Sequence, residues 1–193
     1  IPITKLVTEK FGLPSSLTYD ANAAAVGEMM YGAARGMRDF IMITLGTGVG
    51  SGIVANGQLI YGHDGFAGEL GHTIIRPGGR PHWGTEQLGS LEAYASATGI
   101  ALTAKELLQE RKEDSLMRKY AEDDIDSKVV YECAIKGDPI AQEVYRFTGQ
   151  LLGEALAING SFHRPFGPED SNPAISSVDG FLGHDLRDMQ CRD

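Results

Sequence analysis

The sequence predicts an α/β domain, a small sheet carrying helices on its face. Three observations carry that prediction. Apolar, β-branched runs occur in "DFIMITLG", "GSGIVANGQLIYG" and "HTIIRP", and helix-period runs follow from "SLEAYAS" on, so strands come first and helices after. Within the first block, Asn56-Gly57 separates two extended runs, and that dipeptide suits a primed hairpin turn. Upstream of it, "TLGTGVGSGIV" sets a glycine at every second position from Gly46 to Gly52.

The elements follow in order. Ile3, Leu6, Val7 and Phe11 recur at helical spacing, with Gly12 as a stop. "LPSSLTY" reads as a short extended piece. "DANAAAVGEMMYGAARG" reads as a helix with Asp20 at its N-cap and Gly36 beyond its end. "DFIMITLG" is a buried strand, "GSGIVANGQLIYG" a hairpin and "HTIIRP" another short strand. Residues 78–90 read as loop. "SLEAYASATGIALTAKELLQERK" reads as two helical pieces broken near Gly99. Two amphipathic helices follow, the second opening on Pro139, a residue suited to a first helical turn. Residues 1–157 thus form one domain. Residues 158–193, rich in Gly, Pro, Ser and Asp, read as an irregular tail, whose abrupt change of character fits a frameshifted or a divergent end.

Composition narrows the function classes. Of 193 residues, 17 are Lys or Arg and 26 are Asp or Glu, a formal charge of -9 that speaks against a basic nucleic-acid face. Cys133 and Cys191 lie far apart, so neither a disulfide framework nor a thiol metal site is expected. No apolar run approaches the ~20 residues of a membrane span, and the start lacks the features of a signal peptide. A cytoplasmic chain is expected, and one that reads as the middle of a longer protein.

The glycine stretch has two readings. Glycine tolerates positive φ and close backbone approach, and successive exposed amides cradle anions such as phosphate. Glycines in a hairpin also mark bulges or tight packing. Both stay open on this stretch. It is neither a Walker loop, lacking Gly-Lys-Ser/Thr, nor a dinucleotide fingerprint, since a strand follows it. Nearby, Asp20, Glu69, His72 and Glu92 sit at element ends. Carboxylates and a histidine can hold sugar hydroxyls, and one carboxylate can act as a general base. Each also has a plainer reading: a helix cap, a surface charge, a core histidine and a helix-start charge.

Four segments in order, "YDANAAAVGE", "LGTGVGSGIV", "GHDGFAGELGH" and "GSLEAYASATG", resemble the ROK family of sugar kinases and repressors, and within it the bacterial glucokinases. The resemblance runs from Ile1 to about Ala157. It implies an actin-like, ribonuclease-H-like ATPase fold of two α/β domains closing on a cleft, of which this chain holds mainly the second. It implies ATP-dependent phosphorylation of glucose or a related hexose at the 6-hydroxyl, with Mg2+. Asp20 matches the family's catalytic base. Asn22, Glu69, His72 and Glu92 match sugar-binding residues, and Gly46, Thr47, Gly48 and Gly50 match the nucleotide-phosphate loop. A homodimer is the family habit.

Four departures stand out. The family's opening Asp-x-Gly-Gly-Thr does not occur, which leaves the N-terminal domain missing. Tyr19 stands where the family has an Asn that contacts the sugar. "PGGRPHWGTEQLGSLE" carries none of the cysteines with which many members hold a structural zinc, so the zinc is expected to be lost; His72, His82 and Glu86 remain as candidate ligands. After Ala157 the family's buried strand and Gly-Gly turn do not follow. Three readings result: an ATP-dependent glucokinase, a sugar-sensing repressor, and an inactive truncated gene product.

Overall fold

The computed structural model describes residues 1–163. A three-stranded antiparallel sheet forms its centre, in the order β1 (Phe40–Leu45), β2 (Val49–Ala55), β3 (Gln58–Leu59). Asn56 and Gly57 both take positive φ, 54° and 76°, as the primed turn between β2 and β3 requires. Strand alternation sorts β1 onto two faces. Phe40 and Met42 pack with Val54 and Ala25 against helix α2 (Asp20–Tyr31). Ile41, Ile43 and Leu45 face a second cluster with Leu91, Tyr94 and Leu151. The sheet is therefore covered on both faces rather than on one.

The second cover is helical: α3 (Glu92–Ala95), α4 (Ala97–Glu110), α5 (Ser127–Ala134) and α6 (Pro139–His163). Away from the sheet these helices build their own core around Ile100, Met117, Val130, Ile140 and Val144. Asp138, buried just before α6, accepts from the Ala141 amide with one oxygen. Its other oxygen accepts from the Ser115 hydroxyl at 2.8 Å and the Leu116 amide at 2.5 Å. One carboxylate thus caps a helix and anchors the turn before it, meeting the need of a buried charge for several donors.

Several boundaries differ from the sequence reading. Tyr19, not Asp20, is the N-cap of α2; Asp20 is its first helical residue and accepts from the Ala21 amide at 2.8 Å. The helix ends at Tyr31, capped by the Gly32 amide, and Gly36 lies in a later turn at φ 86°. The stretch read as strand "HTIIRP" starts on the last residue of a 3-10 turn, Leu70–His72, and pairs only through the bridge Ile74↔Ser90. The helix break falls at Ser96, because its hydroxyl accepts from the Gly99 amide at 3.0 Å and starts α4. Gly99 is needed inside the helix: a Cβ there would lie 2.6 Å from the Tyr94 carbonyl. Helix α6 continues through His163, past the expected end at Ala157, since Asn, Gly and Ser cost only about 1 kcal/mol each or less in a helix. The remainder of the expected tail, with Cys191, lies outside the described residues.

Helix α1 (Ile3–Phe11) forms as its spacing predicts and ends on Gly12 at φ 66°. None of its residues is buried; Leu6 and Phe11 are exposed. Among the described residues no helix is long and apolar enough to cross a membrane.

Cys133 is buried against α6, and burial, then the neighbouring Asp138 carboxylate, push its thiol above the ordinary range. Less thiolate is present at any given pH, and thiolate is the reactive form. In a Cys191→Ser background, maleimide is expected to modify Cys133 only as fast as the fold opens. Mass spectrometry against urea checks this; rapid labelling of the native chain would contradict it.

Candidate active site

A cleft of about 500 Å³ opens where α2, the turn between β1 and β2, and the start of α3 meet. Asp20, Asn22, Gly46, Thr47, Gly48, Gly50, Glu69 and Glu92 all line it. Of the residues expected in the site only His72 does not. Its ring lies beside the cleft, 4.0 Å from Glu69 and edge-on to His82.

The glycines divide by cause. None of Gly46, Gly48, Gly50 and Gly52 has positive φ, so left-handed backbone is not why they are there. On β2, the period of two puts Gly50 and Gly52 on the face that meets α2. A Cβ at Gly52 would lie 2.5 Å from Ala25 Cβ and 2.9 Å from the Ala21 carbonyl; one at Gly50 would lie 3.1 Å from Ala21 Cβ. Stripping this face of side chains lets the first turn of α2, with Asp20 and Asn22, settle against the sheet. Gly48 makes room for Glu92, whose Oε2 would lie 2.5 Å from a Cβ there. Only Gly46 has open space around it.

The turn offers fewer donors than a bare glycine loop suggests. The Gly46 amide donates to the Gly48 carbonyl at 2.9 Å, and the Val49 amide to Glu92 Oε2 at 2.6 Å. The Thr47 and Gly48 amides meet no partner among the described residues. With the exposed Thr47 hydroxyl they are the groups an anion at the tip would use.

The other walls are set by close packing. Gly68 at φ 98° and Gly71 bring the 3-10 turn onto β2, where the Ser51 hydroxyl donates to the Gly68 carbonyl; this aims Glu69 at the cleft. Asn22 is 1 % exposed, and its Oδ1 has no partner. An unmet buried acceptor costs about 1–3 kcal/mol, so a ligand hydroxyl there would relieve a standing deficit. Asp20 sits at the positive end of the α2 dipole, a place that favours a carboxylate. Tyr19 lines the cleft and leans on Phe66.

The loop 78–90 makes contacts that sequence reasoning missed. Arg80 donates to the Ala93 and Gly99 carbonyls, to Thr103 and to both oxygens of Glu106, and lies over the Tyr94 ring. Nothing in "GGRP" signals such a hub. His82 is buried, with Nε2 2.5 Å from Glu92 Oε1 and Nδ1 accepting from the Gly84 and Thr85 amides. These residues do not fit a structural zinc. No cysteine lies between His72 and Glu92, both His82 nitrogens are engaged, and no group of three His, Cys, Asp or Glu among the described residues could hold a metal ion.

Comparison with known proteins places this arrangement. Residues 1–165 match the ROK family. The chain is 41 % identical over 157 residues to the glucokinase of Halalkalibacterium halodurans, covering 81 % of this chain and 48 % of that protein. It is 30 % identical over 164 residues to the N-acetylglucosamine repressor of Escherichia coli, covering 84 % of this chain and 39 % of the repressor. Among solved structures, a ROK family glucokinase from Streptomyces griseus in complex with glucose and AMPPNP superposes with a TM-score of 0.73 at 36 % identity, over 84 % of this chain and 53 % of that one. The chain thus spans about half the length of the glucokinases it matches, and its fold is part of their actin-like ATPase architecture. On sequence and fold together, the chain belongs to the ROK family.

Proposed function

We propose that this chain is the sugar-and-phosphate half of an ATP-dependent hexokinase that phosphorylates glucose or a related hexose at its 6-hydroxyl. The observation that carries the reading is convergence: one cleft gathers Asp20, Asn22, Glu69, Glu92 and the tip of the glycine turn. Asp20 takes the hydroxyl proton, the freed oxygen attacks the γ-phosphorus in line, and ADP leaves with the electron pair of the broken bond. Asn22 and Glu69 accept from sugar hydroxyls and fix which one is presented. Thr47 and the Thr47 and Gly48 amides receive phosphate oxygens. The Thr47 hydroxyl is a hard oxygen donor of the kind that suits Mg2+ beside phosphates and water. Magnesium, when bound with the nucleotide, supplies charge neutralisation of the phosphates.

A glucokinase relative and a glucose- and AMPPNP-bound neighbour support this substrate pair. The likeness to a repressor supports a second reading, a sugar sensor without turnover. Two assays separate them. Glucose-dependent ADP release is expected for the kinase. Sugar-sensitive binding to operator DNA without ADP release would establish the sensor, and neither activity would mark this chain as catalytically incomplete, since such chemistry needs both walls of a closing cleft.

A further inference from the structure

The residues of the 78–90 loop do not suit a metal, yet the loop is tightly held, and the means of holding it reaches the cleft. We propose that His82 is a positioning residue that fixes the Glu92 carboxylate, and through it the glycine turn, without a metal ion.

The geometry assigns the ring's protonation. Nδ1 accepts from two backbone amides, Gly84 and Thr85, each at 3.1 Å, so it carries no proton. The proton is therefore on Nε2, which donates to Glu92 Oε1 at 2.5 Å. The other Glu92 oxygen accepts from the Val49 amide at 2.6 Å. Val49 is the first residue after the glycine turn. A single chain of contacts thus runs from the loop, through His82 and Glu92, to the start of β2.

Three further observations show this is built rather than incidental. The His82 side chain is 5 % exposed and that of Glu92 14 %, so the pair sits where dielectric screening is weak and a lost partner is costly. Trp83, the chain's one tryptophan, stacks on the His82 ring at 4.3 Å between centroids. Gly48 leaves the space that Glu92 occupies. With each carboxylate oxygen already accepting one bond, Glu92 keeps a single remaining acceptor direction on each. A hydroxyl in the cleft meets a carboxylate whose rotamer is already set.

Arg80 anchors the same loop from its other side, on α3 and α4. The division of labour is plain from the partners: Arg80 holds the loop's position, and His82 carries that position into the cleft.

The test uses two substitutions that split the imidazole's roles. In His82→Asn, the side-chain oxygen can still accept from the loop amides, but the shorter side chain cannot reach Glu92. In His82→Gln, the terminal amide nitrogen can donate to Glu92. The readouts on the full chain are hydrogen exchange at the Val49 amide and thermal stability with Zn2+ or with a chelator. His82→Asn is expected to speed Val49 exchange about 10-fold, the loss of one charge-assisted bond, while Val130 in α5 is unmoved. His82→Gln should restore protection to within about threefold. Wild-type Tm should not respond to Zn2+ or chelator. Equal Val49 exchange in wild type and His82→Asn would overturn the proposal, as would a Zn2+-dependent Tm.

Its consequence for substrate rests on the kinase reading. There, D-glucose affinity should weaken about 10-fold in His82→Asn and recover in His82→Gln. A wild-type chain that binds no glucose defeats that reading and leaves the exchange result to judge the positioning role alone.

Discussion

Replacing Asp20 by Asn is expected to lower kcat by roughly 100- to 10,000-fold, the range for loss of a general base, in any preparation of this chain that turns over glucose. KM for glucose should move no more than a few-fold. The substitution is informative because it changes so little else. The Asn side-chain oxygen can still accept from the Ala21 amide, as Asp20 does now. The helix start loses only its favourable charge at the dipole, a few tenths of a kcal/mol at an exposed position. What disappears is the proton acceptor. A fall in kcat and kcat/KM together, with KM held, is the signature of an interaction made in the transition state. Near-normal kcat would place the base elsewhere. Glu69 would then be the candidate, because Glu92 is already committed to His82 and Val49.

Much of the cleft's lining was legible in the sequence, and for identifiable reasons. Asp20, Asn22, Glu69 and Glu92 lie beside small residues or glycines that mark element ends, and an ordered series of such motifs is a strong signal. The hairpin at Asn56-Gly57 was legible because both turn positions need positive φ, which that dipeptide tolerates. The contacts that complete the site were not. Arg80 finds five partners spread over α3 and α4, and His82 finds Glu92 across a ten-residue separation. Such pairings depend on tertiary placement that no local pattern encodes. His72 shows the reverse. Its motif position pointed to the cleft, and the 3-10 turn that aims Glu69 inward sets the histidine beside it, next to Glu69. The same limit applied to the glycines. Their spacing was visible, but whether it served φ, a ligand or a neighbouring helix required the position of α2.

That distinction yields the second large effect, and two glycines of one stretch separate its causes. Gly52→Ala is expected to destabilise the fold by about 1–3 kcal/mol, the cost of overpacking. For a chain of this size that is a fall in Tm of roughly 2–12 °C. The obstruction is Ala25 Cβ at 2.5 Å and the Ala21 carbonyl at 2.9 Å, and neither has a flexible end that can swing aside. Helix α2 itself must move, and with it Asp20 and Asn22. The double change Gly52→Ala with Ala25→Gly should recover part of the loss, less the ~1 kcal/mol that glycine costs inside a helix. Gly46→Ala has the opposite profile. Its Cβ meets nothing and its φ is not positive, so stability should stay within about 0.5 kcal/mol. If the turn approaches nucleotide phosphate, the same methyl should raise KM for ATP while Tm holds. Thermal melts and nucleotide titrations on the two variants therefore divide packing glycines from ligand glycines. A neutral Gly52→Ala would mean that α2 can slide on the sheet at no cost. The close approach of helix and hairpin would then not be what holds the Asp20 carboxylate in place.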